Sequence, residues 1–187
     1  IHRGTRVRKM HSSRRDAFRS INTLPVGRVA EEVEFTEEVK KRGKGRATVE
    51  GRLEPRVALV KMYPGISGEA LDFYVENYRG IVVEGTGLGH LPEALLHTVK
   101  KAKKRSVPIV MTSQTLYGRV DMKVYSTGRR LLELGVIPGG DMLPETALVK
   151  LMYVLGQTKE PEEIRRLITT DLAGELSEVS RPDAFLR

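Results

Sequence analysis

Gly80-Ile-Val-Val-Glu-Gly-Thr-Gly-Leu-Gly-His-Leu-Pro92 is the stretch that decides the fold. Ile81, Val82 and Val83 form a short continuous apolar run, and in a strand such a run means that both faces are covered. Gly85, Gly87 and Gly89 then free the backbone to turn and leave room for another group to approach it. Pro92 suits the first turn of a helix, where its missing N–H costs nothing. A strand that passes through a glycine loop into a helix puts that loop at the carboxyl end of a sheet strand, where open α/β folds bind their ligands. The loop is not a phosphate grip of known pattern. His90 stands where the dinucleotide fingerprint requires its third glycine, and no Gly-Lys-Ser/Thr follows. A tight turn and a ligand-binding rim both remain open on spacing alone.

Similar punctuation continues on either side. Val57-Ala-Leu-Val60 predicts a strand that ends at the turn Tyr63-Pro64-Gly65. Ser67 can cap a helix over about 68–76, with Ala70, Leu71, Tyr74 and Val75 on one face. A helix from Pro92 to about Arg105 buries Leu91, Leu95, Leu96, Val99 and Ala102. Lys100, Lys101, Lys103, Lys104 and Arg105 complement the negative end of its dipole, so this basic run has a structural explanation. A third strand is expected over 107–111, with Pro108 near its start. Met111-Thr-Ser-Gln-Thr-Leu-Tyr-Gly118 then forms a second loop on the same rim. A helix over about 127–134 ends at Gly135, Val136-Ile137 is a short strand, and Pro138-Gly-Gly-Asp141 is a turn. Pro144 opens a helix that Gly156 stops, and Pro161 opens the last one, with Ile164, Leu167 and Ile168 inward. Residues from Asp171 onward read as a polar surface tail. Strands alternating with helices predict an α/β fold, a small doubly wound parallel four-stranded sheet over 55–170.

The 187 residues, 40% of them hydrophobic, suffice for one ordinary domain and part of another. No apolar run approaches the roughly 20 residues that span a bilayer, and the charged start is not a signal peptide. With no cysteine to form disulfides or thiolates, a cytosolic protein is expected. His2, His11, His90 and His97 show no metal-ligand spacing. The formal charge of +8 favours acidic partners such as nucleic acid. It is unevenly spread: residues 3–19 are basic, Glu31 to Glu38 acidic and Lys40 to Arg46 basic again. Aromatic residues are not interleaved with these clusters, which argues against a platform for single-stranded nucleic acid. Residues 1–23 show no clear period and read as the continuation of an upstream segment. Residues 29–54 read as a linker or irregular hairpin.

No Gly-x-Ser-x-Gly, zinc or kinase motif occurs. Thr86, Thr112 and Ser113 are hydroxyls on the rim without an evident base. Lys9 lies close to Arg6 and Arg8, which would disfavour its ammonium form and make it a better base. A surface lysine in a basic segment is the plainer alternative.

Several motifs in order resemble the asparaginase/glutaminase family over essentially the whole chain. They are Gly4-Thr-Arg-Val-Arg-Lys9, Phe18-Arg-Ser-Ile-Asn22, Ile81-Val-Val-Glu-Gly-Thr-Gly-Leu-Gly-His90, Tyr117-Gly-Arg-Val120, Tyr125-Ser-Thr-Gly128 and Asp141-Met-Leu-Pro-Glu-Thr-Ala-Leu-Val-Lys-Leu151. Within that family, Val57-Ala-Leu-Val-Lys-Met-Tyr-Pro-Gly65 and Asp183-Ala-Phe-Leu186 resemble the glutaminase subunits of archaeal glutamyl-tRNA(Gln) amidotransferases more than the free asparaginases. The family pattern has two domains, with a threonine nucleophile and a Thr-Asp pair in the first. Neither its Gly-Gly-Thr-Ile nor its Gly-Thr-Asp-Thr segment occurs here. The expectation is therefore a C-terminal fragment: 1–28 the end of the catalytic N-terminal domain, 29–54 a linker, and 55–187 an asparaginase-type C-terminal domain with its tail.

The resemblance implies that Lys9 matches the family's catalytic lysine. It also implies that the glycine loop reaches the active site of a neighbouring subunit. His90 would face the substrate there, with Gly89, Thr86 and Tyr125 as further binding positions. The implied reaction is glutamine hydrolysis through an acyl-enzyme, with ammonia passed to the E subunit of the amidotransferase. That partner, using ATP and Mg²⁺, would convert Glu-tRNA(Gln) to Gln-tRNA(Gln). No cofactor or metal is expected in this chain. A homodimer joined by the E subunit is expected in the cytoplasm, with no membrane contact and no activity for the fragment alone. The rivals are a free cytosolic L-asparaginase and, from another class, a non-catalytic RNA- or nucleotide-binding module.

Overall fold

The structure is a computed structural model that describes residues 1–36, 39, 41, 43 and 45–185. Two small antiparallel hairpins come first. β1 (Val7–Lys9) pairs with β2 (Phe18–Ser20), Val7 opposite Ser20 and Lys9 opposite Phe18. β3 (Gly27–Val29) pairs with β4 (Val33–Phe35), a hairpin that begins at Gly27 and so straddles the expected edge between residues 1–28 and 29–54. Glu37, Glu38, Lys40, Arg42 and Lys44, within the acidic and basic blocks read from the sequence, lie outside the described residues.

The centre is a four-stranded parallel sheet. β5 (Val57–Lys61) leads through α1 (Gly68–Asn77) to β6 (Gly80–Gly85), and α2 (Leu96–Lys104) leads on to β7 (Ile109–Ser113). α3 (Ser126–Glu133), β8 (Ile137–Pro138), α4 (Pro144–Gln157) and α5 (Pro161–Thr169) follow. The strand order β5-β6-β7-β8 is sequential. Every residue of β6 and β7 is buried, as the Ile81–Val83 run predicts. Successive side chains point to opposite faces. Ala58, Val60, Ile81, Val83, Ile109 and Met111 accordingly pack with the helices that connect the strands, among them Leu71, Val75, Val99, Ala102 and Leu131. Val57, Val82, Val110 and Ile137 pack on the other face against Leu151, Val154 and Leu155 of α4 and Ile164 and Ile168 of α5. The second face is thus covered by the helices after the last strand, without a reversal of strand order.

Local chemistry sets most boundaries. Ser67 accepts a hydrogen bond from Ala70 N and starts α1. Gly135, at φ +94°, ends the α3 segment in the left-handed region. Pro92 does not open α2 directly: it precedes a 3-10 turn, Glu93–Leu95, and the α-helix begins at Leu96. The third strand starts at Ile109, past Pro108, and continues through Thr112 and Ser113. A proline lacks the N–H that ladder pairing needs, so the strand starts after it.

Two larger differences concern α4 and the chain's end. Gly156 does not stop α4, which continues to Gln157. A Cβ at this position would overlap the carbonyl of Arg52. The glycine lets residues 52–54 cross the helix, where Glu54 N donates to Met152 O (2.9 Å) and Gln157 Nε2 to Arg52 O (2.9 Å). The segment from Asp171, expected as a polar surface tail, folds back over the molecule. Its Glu175 and Ala184 are buried, and Phe185 meets Tyr117 edge to face with ring centroids 5.2 Å apart. Leu186 lies outside the described residues.

Candidate active site

The glycine loop closes on itself at the carboxyl end of β6. Thr86 N donates to His90 O, and Thr86 O accepts from both Gly89 N and His90 N, each at 3.0 Å. Gly85 makes this possible, because a Cβ there would sit 2.8 Å from His90 O and 2.9 Å from His90 N. Gly89 is buried at φ +97°, with Met111 and Val120 pressed against it, while Thr86 is exposed.

The second rim loop braces the first. Ser113 Oγ donates to Gly87 O (2.7 Å), Gln114 N to Gly85 O (2.9 Å) and Asp121 N to Leu88 O (2.9 Å). Thr112 donates its hydroxyl to Val83 O at 2.9 Å, so both it and Ser113 serve the scaffold. Tyr125 precedes α3, and Arg129 holds the chain there by donating to Lys123 O (2.9 Å) and Val124 O (3.1 Å). Its exposed ring lies edge-on to His90 at 4.8 Å between centroids. His90 is half-buried, and its Nε2 is buried without a hydrogen-bond partner. Such an atom is costly and uncommon. A polar group arriving at the rim would satisfy it.

Lys9 occupies a different place. It lines an open groove of about 1120 Å³, bounded by Gly4, Thr5, Val7 and Arg8, by Glu145, Val149 and Tyr153 of α4, and by Leu172 and Ala173. His90, Gly89, Thr86 and Tyr125 are not among its lining residues. The structure thus unites those four on one rim and sets Lys9 apart. Arg6 and Arg8 do not crowd the Lys9 ammonium as their sequence proximity suggested. Arg6 turns inward to Asp141 (2.8 Å), and Arg8 reaches Glu145 (3.1 Å).

Sequence reasoning passed over the charges buried around this groove. Lys150 Nζ lies 2.5 Å from Glu175 Oε1 and donates to Ile168 O (2.9 Å) and Thr170 O (2.6 Å). Burial alone would push the Glu175 carboxyl up. The ammonium and the amides of Leu172 and Ala173 more than offset this and hold it down to about 2. Partners so far apart in sequence carry no spacing signal. Among the described residues no group of three or more His, Cys, Asp or Glu could hold a metal ion, and no helix is long and apolar enough to cross a membrane.

Comparison with known proteins matches residues 56–168 to the family described as Glutaminase/Asparaginase C-terminal domain, and residues 1–41 to Asparaginase, N-terminal. The D subunit of the glutamyl-tRNA(Gln) amidotransferase of Pyrococcus horikoshii is 53% identical over 100% of this chain and 43% of its own length. The corresponding D subunit of Methanothermobacter thermautotrophicus is 52% identical over 95% of this chain and 42% of its own. The chain therefore spans less than half the length of these curated relatives. Among solved structures, the thermostable L-asparaginase from Thermococcus kodakarensis superposes with a TM-score of 0.86 at 42% identity, covering 94% of this chain and 54% of that one. L-asparaginase I from Vibrio cholerae gives 0.84 at 34%, covering 94% and 55%.

Proposed function

This chain belongs to the glutaminase/asparaginase family, and on that premise we propose that it is part of the glutamine-hydrolysing subunit of a tRNA-dependent amidotransferase. The subunit releases ammonia from glutamine, and a partner, the E subunit of the same complex, uses that ammonia to convert Glu-tRNA(Gln) to Gln-tRNA(Gln). The observation that carries this reading is the identity to the amidotransferase D subunits, which runs the length of the chain and exceeds that to the two L-asparaginases.

The residues support it as follows. Residues 1–28 form the end of the catalytic N-terminal domain, 29–54 the linker, and 55–187 the C-terminal domain. The two family matches, 1–41 and 56–168, leave 42–55 between them, which is the later part of the proposed linker. Lys9, on the open groove, assists proton removal from a threonine of the family pattern that this sequence does not contain. The threonine oxygen attacks the glutamine side-chain amide, the C–N bond breaks, and ammonia leaves with the added proton. Water then cleaves the ester. His90, with its unpartnered Nε2, binds the amide substrate together with Tyr125, Gly89 and Thr86. The partner subunit holds the ATP and Mg²⁺, and two copies of the glutaminase subunit assemble with it in the cytoplasm.

The test is ammonia release by a protein of the relatives' full length carrying this segment, with the partner subunit present and charged tRNA added or omitted. Glutamine hydrolysis stimulated by Glu-tRNA(Gln) is the expected result. The superposition on L-asparaginases favours a second reading, a free asparaginase. Preference for asparagine with no response to tRNA would establish that one instead.

A further inference from the structure

The strand that carries Lys9 is tied to the rest of the molecule at three of the four preceding residues. Thr5 Oγ1 donates to Ala173 O, and Thr5 O accepts from Thr146 Oγ1, both at 3.0 Å. Arg8 reaches Glu145 at the start of α4. Between them Arg6, only 2% exposed, makes the densest set of contacts. Its Nη1 donates to Asp141 Oδ2 (2.8 Å), its Nη2 to Ser177 Oγ (2.7 Å) and at 3.4 Å to Asp141 Oδ1, and its Nε to Gly174 O (3.1 Å). Asp141 is itself held: Ser177 N donates to its Oδ1 (3.0 Å), and Asn22, at φ +59°, donates to its main-chain oxygen (3.0 Å).

A buried ion pair is a poor source of net stability, since apolar side chains of similar volume often serve as well. What a guanidinium fork gains on a carboxylate is direction, because its donors are fixed in one plane. Here that direction is imposed three residues before Lys9. We propose that Arg6 and Asp141 are positioning residues for the amide hydrolysis: they hold residues 4–9 in one placement against α4 and so set where the Lys9 side-chain nitrogen meets the nucleophile. This inference rests on the reading of Lys9 as catalytic. Misplacing a catalytic group by about 1 Å costs roughly 10²-fold in rate, so a small shift of this segment suffices.

The experiment is steady-state glutamine hydrolysis by a protein of the relatives' full length carrying this segment, assembled with its partner subunit. Lys9→Met is the reference and is expected to lose about 10³-fold in kcat. Asp141→Asn is expected to lower kcat about 10²-fold with KM within about threefold. Ser177→Ala removes one acceptor from Arg6 without leaving a buried charge unpaired. It should lower kcat by about fivefold, and it decides the matter if Asp141→Asn fails to fold. The pair Arg6→Met/Asp141→Leu should melt like the parent and keep the low kcat, a split that a merely structural clamp would not produce. Unchanged kcat in Ser177→Ala and Asp141→Asn beside an inactive Lys9→Met would overturn the positioning role and leave the Lys9 reading intact. Recovery of kcat together with melting temperature in the double variant would overturn it too. Full activity in Lys9→Met would remove the premise itself.

Discussion

Replacing Glu175 by glutamine keeps the shape of the side chain and removes its charge, which tests the buried pair beneath the groove. Lys150 and Glu175 are only 5% and 3% exposed, so the variant leaves an ammonium with two carbonyl partners and no counter-charge. The carboxyl is held down to about 2 from an ordinary 4.5, and removing one partner of a buried ion pair costs about 3–5 kcal/mol. Because the native carboxyl is depressed, this stabilisation is fully present above pH 4.5. It is lost as the pH falls towards 2, where the carboxyl is protonated in folded and unfolded chains alike. Hydrogen exchange at the Leu172 and Ala173 amides, which donate to this carboxylate, reads the effect locally. Glu175→Gln should speed their exchange about 10²-fold at pH 7, and the ratio to the parent should shrink between pH 4.5 and 3. A ratio below about threefold at pH 7, or one indifferent to pH, would refute the reasoning.

Three further outcomes follow from close contacts. Gly156→Ala should destabilise by about 2 kcal/mol despite alanine's better helix propensity, because residues 52–54 must leave α4; a raised melting temperature would contradict this. Gly85→Ala should push apart the Thr86–His90 bridge and, like His90→Ala, raise KM for glutamine about tenfold, the worth of one hydrogen bond. Kinetics in which Gly85→Ala leaves KM untouched would detach His90 from substrate binding. Ser67→Ala removes the α1 cap and should cost about 1 kcal/mol in denaturant titration, with activity at folding temperatures unchanged.

The parallel sheet was legible because its signals are local: the Ile81–Val83 run, the cap at Ser67 and the left-handed Gly135 each act within a few residues. The β1–β2 hairpin was not, since three-residue strands lying largely at the surface show no apolar alternation. The role of Gly156 was misread because the same letter marks a helix stop and a close approach, and only the path of residues 52–54 distinguishes them. The anchoring of the largely exposed segment after Asp171 escaped notice for another reason. It rests on polar contacts such as Glu175–Lys150 and Ser177–Arg6, whereas hydrophobic periodicity registers only apolar faces. At the rim, the family resemblance pointed to His90 and Tyr125, but the brace from Ser113 and the contact between their rings depend on how two loops meet in space.

The strap that closes over Arg6 also fixes an order in time. Arg6 is synthesised 171 residues before Ser177 and 135 before Asp141. At roughly 5–20 residues per second it waits roughly 9–34 seconds for the last of these partners to be made. For the first roughly 7–27 seconds of that interval, until Asp141 is made, the guanidinium has none of these acceptors while the strands of the sheet emerge. Nascent chains stalled short of Asp141 should therefore leave residues 4–9 more open to protease than chains extended past Ser177.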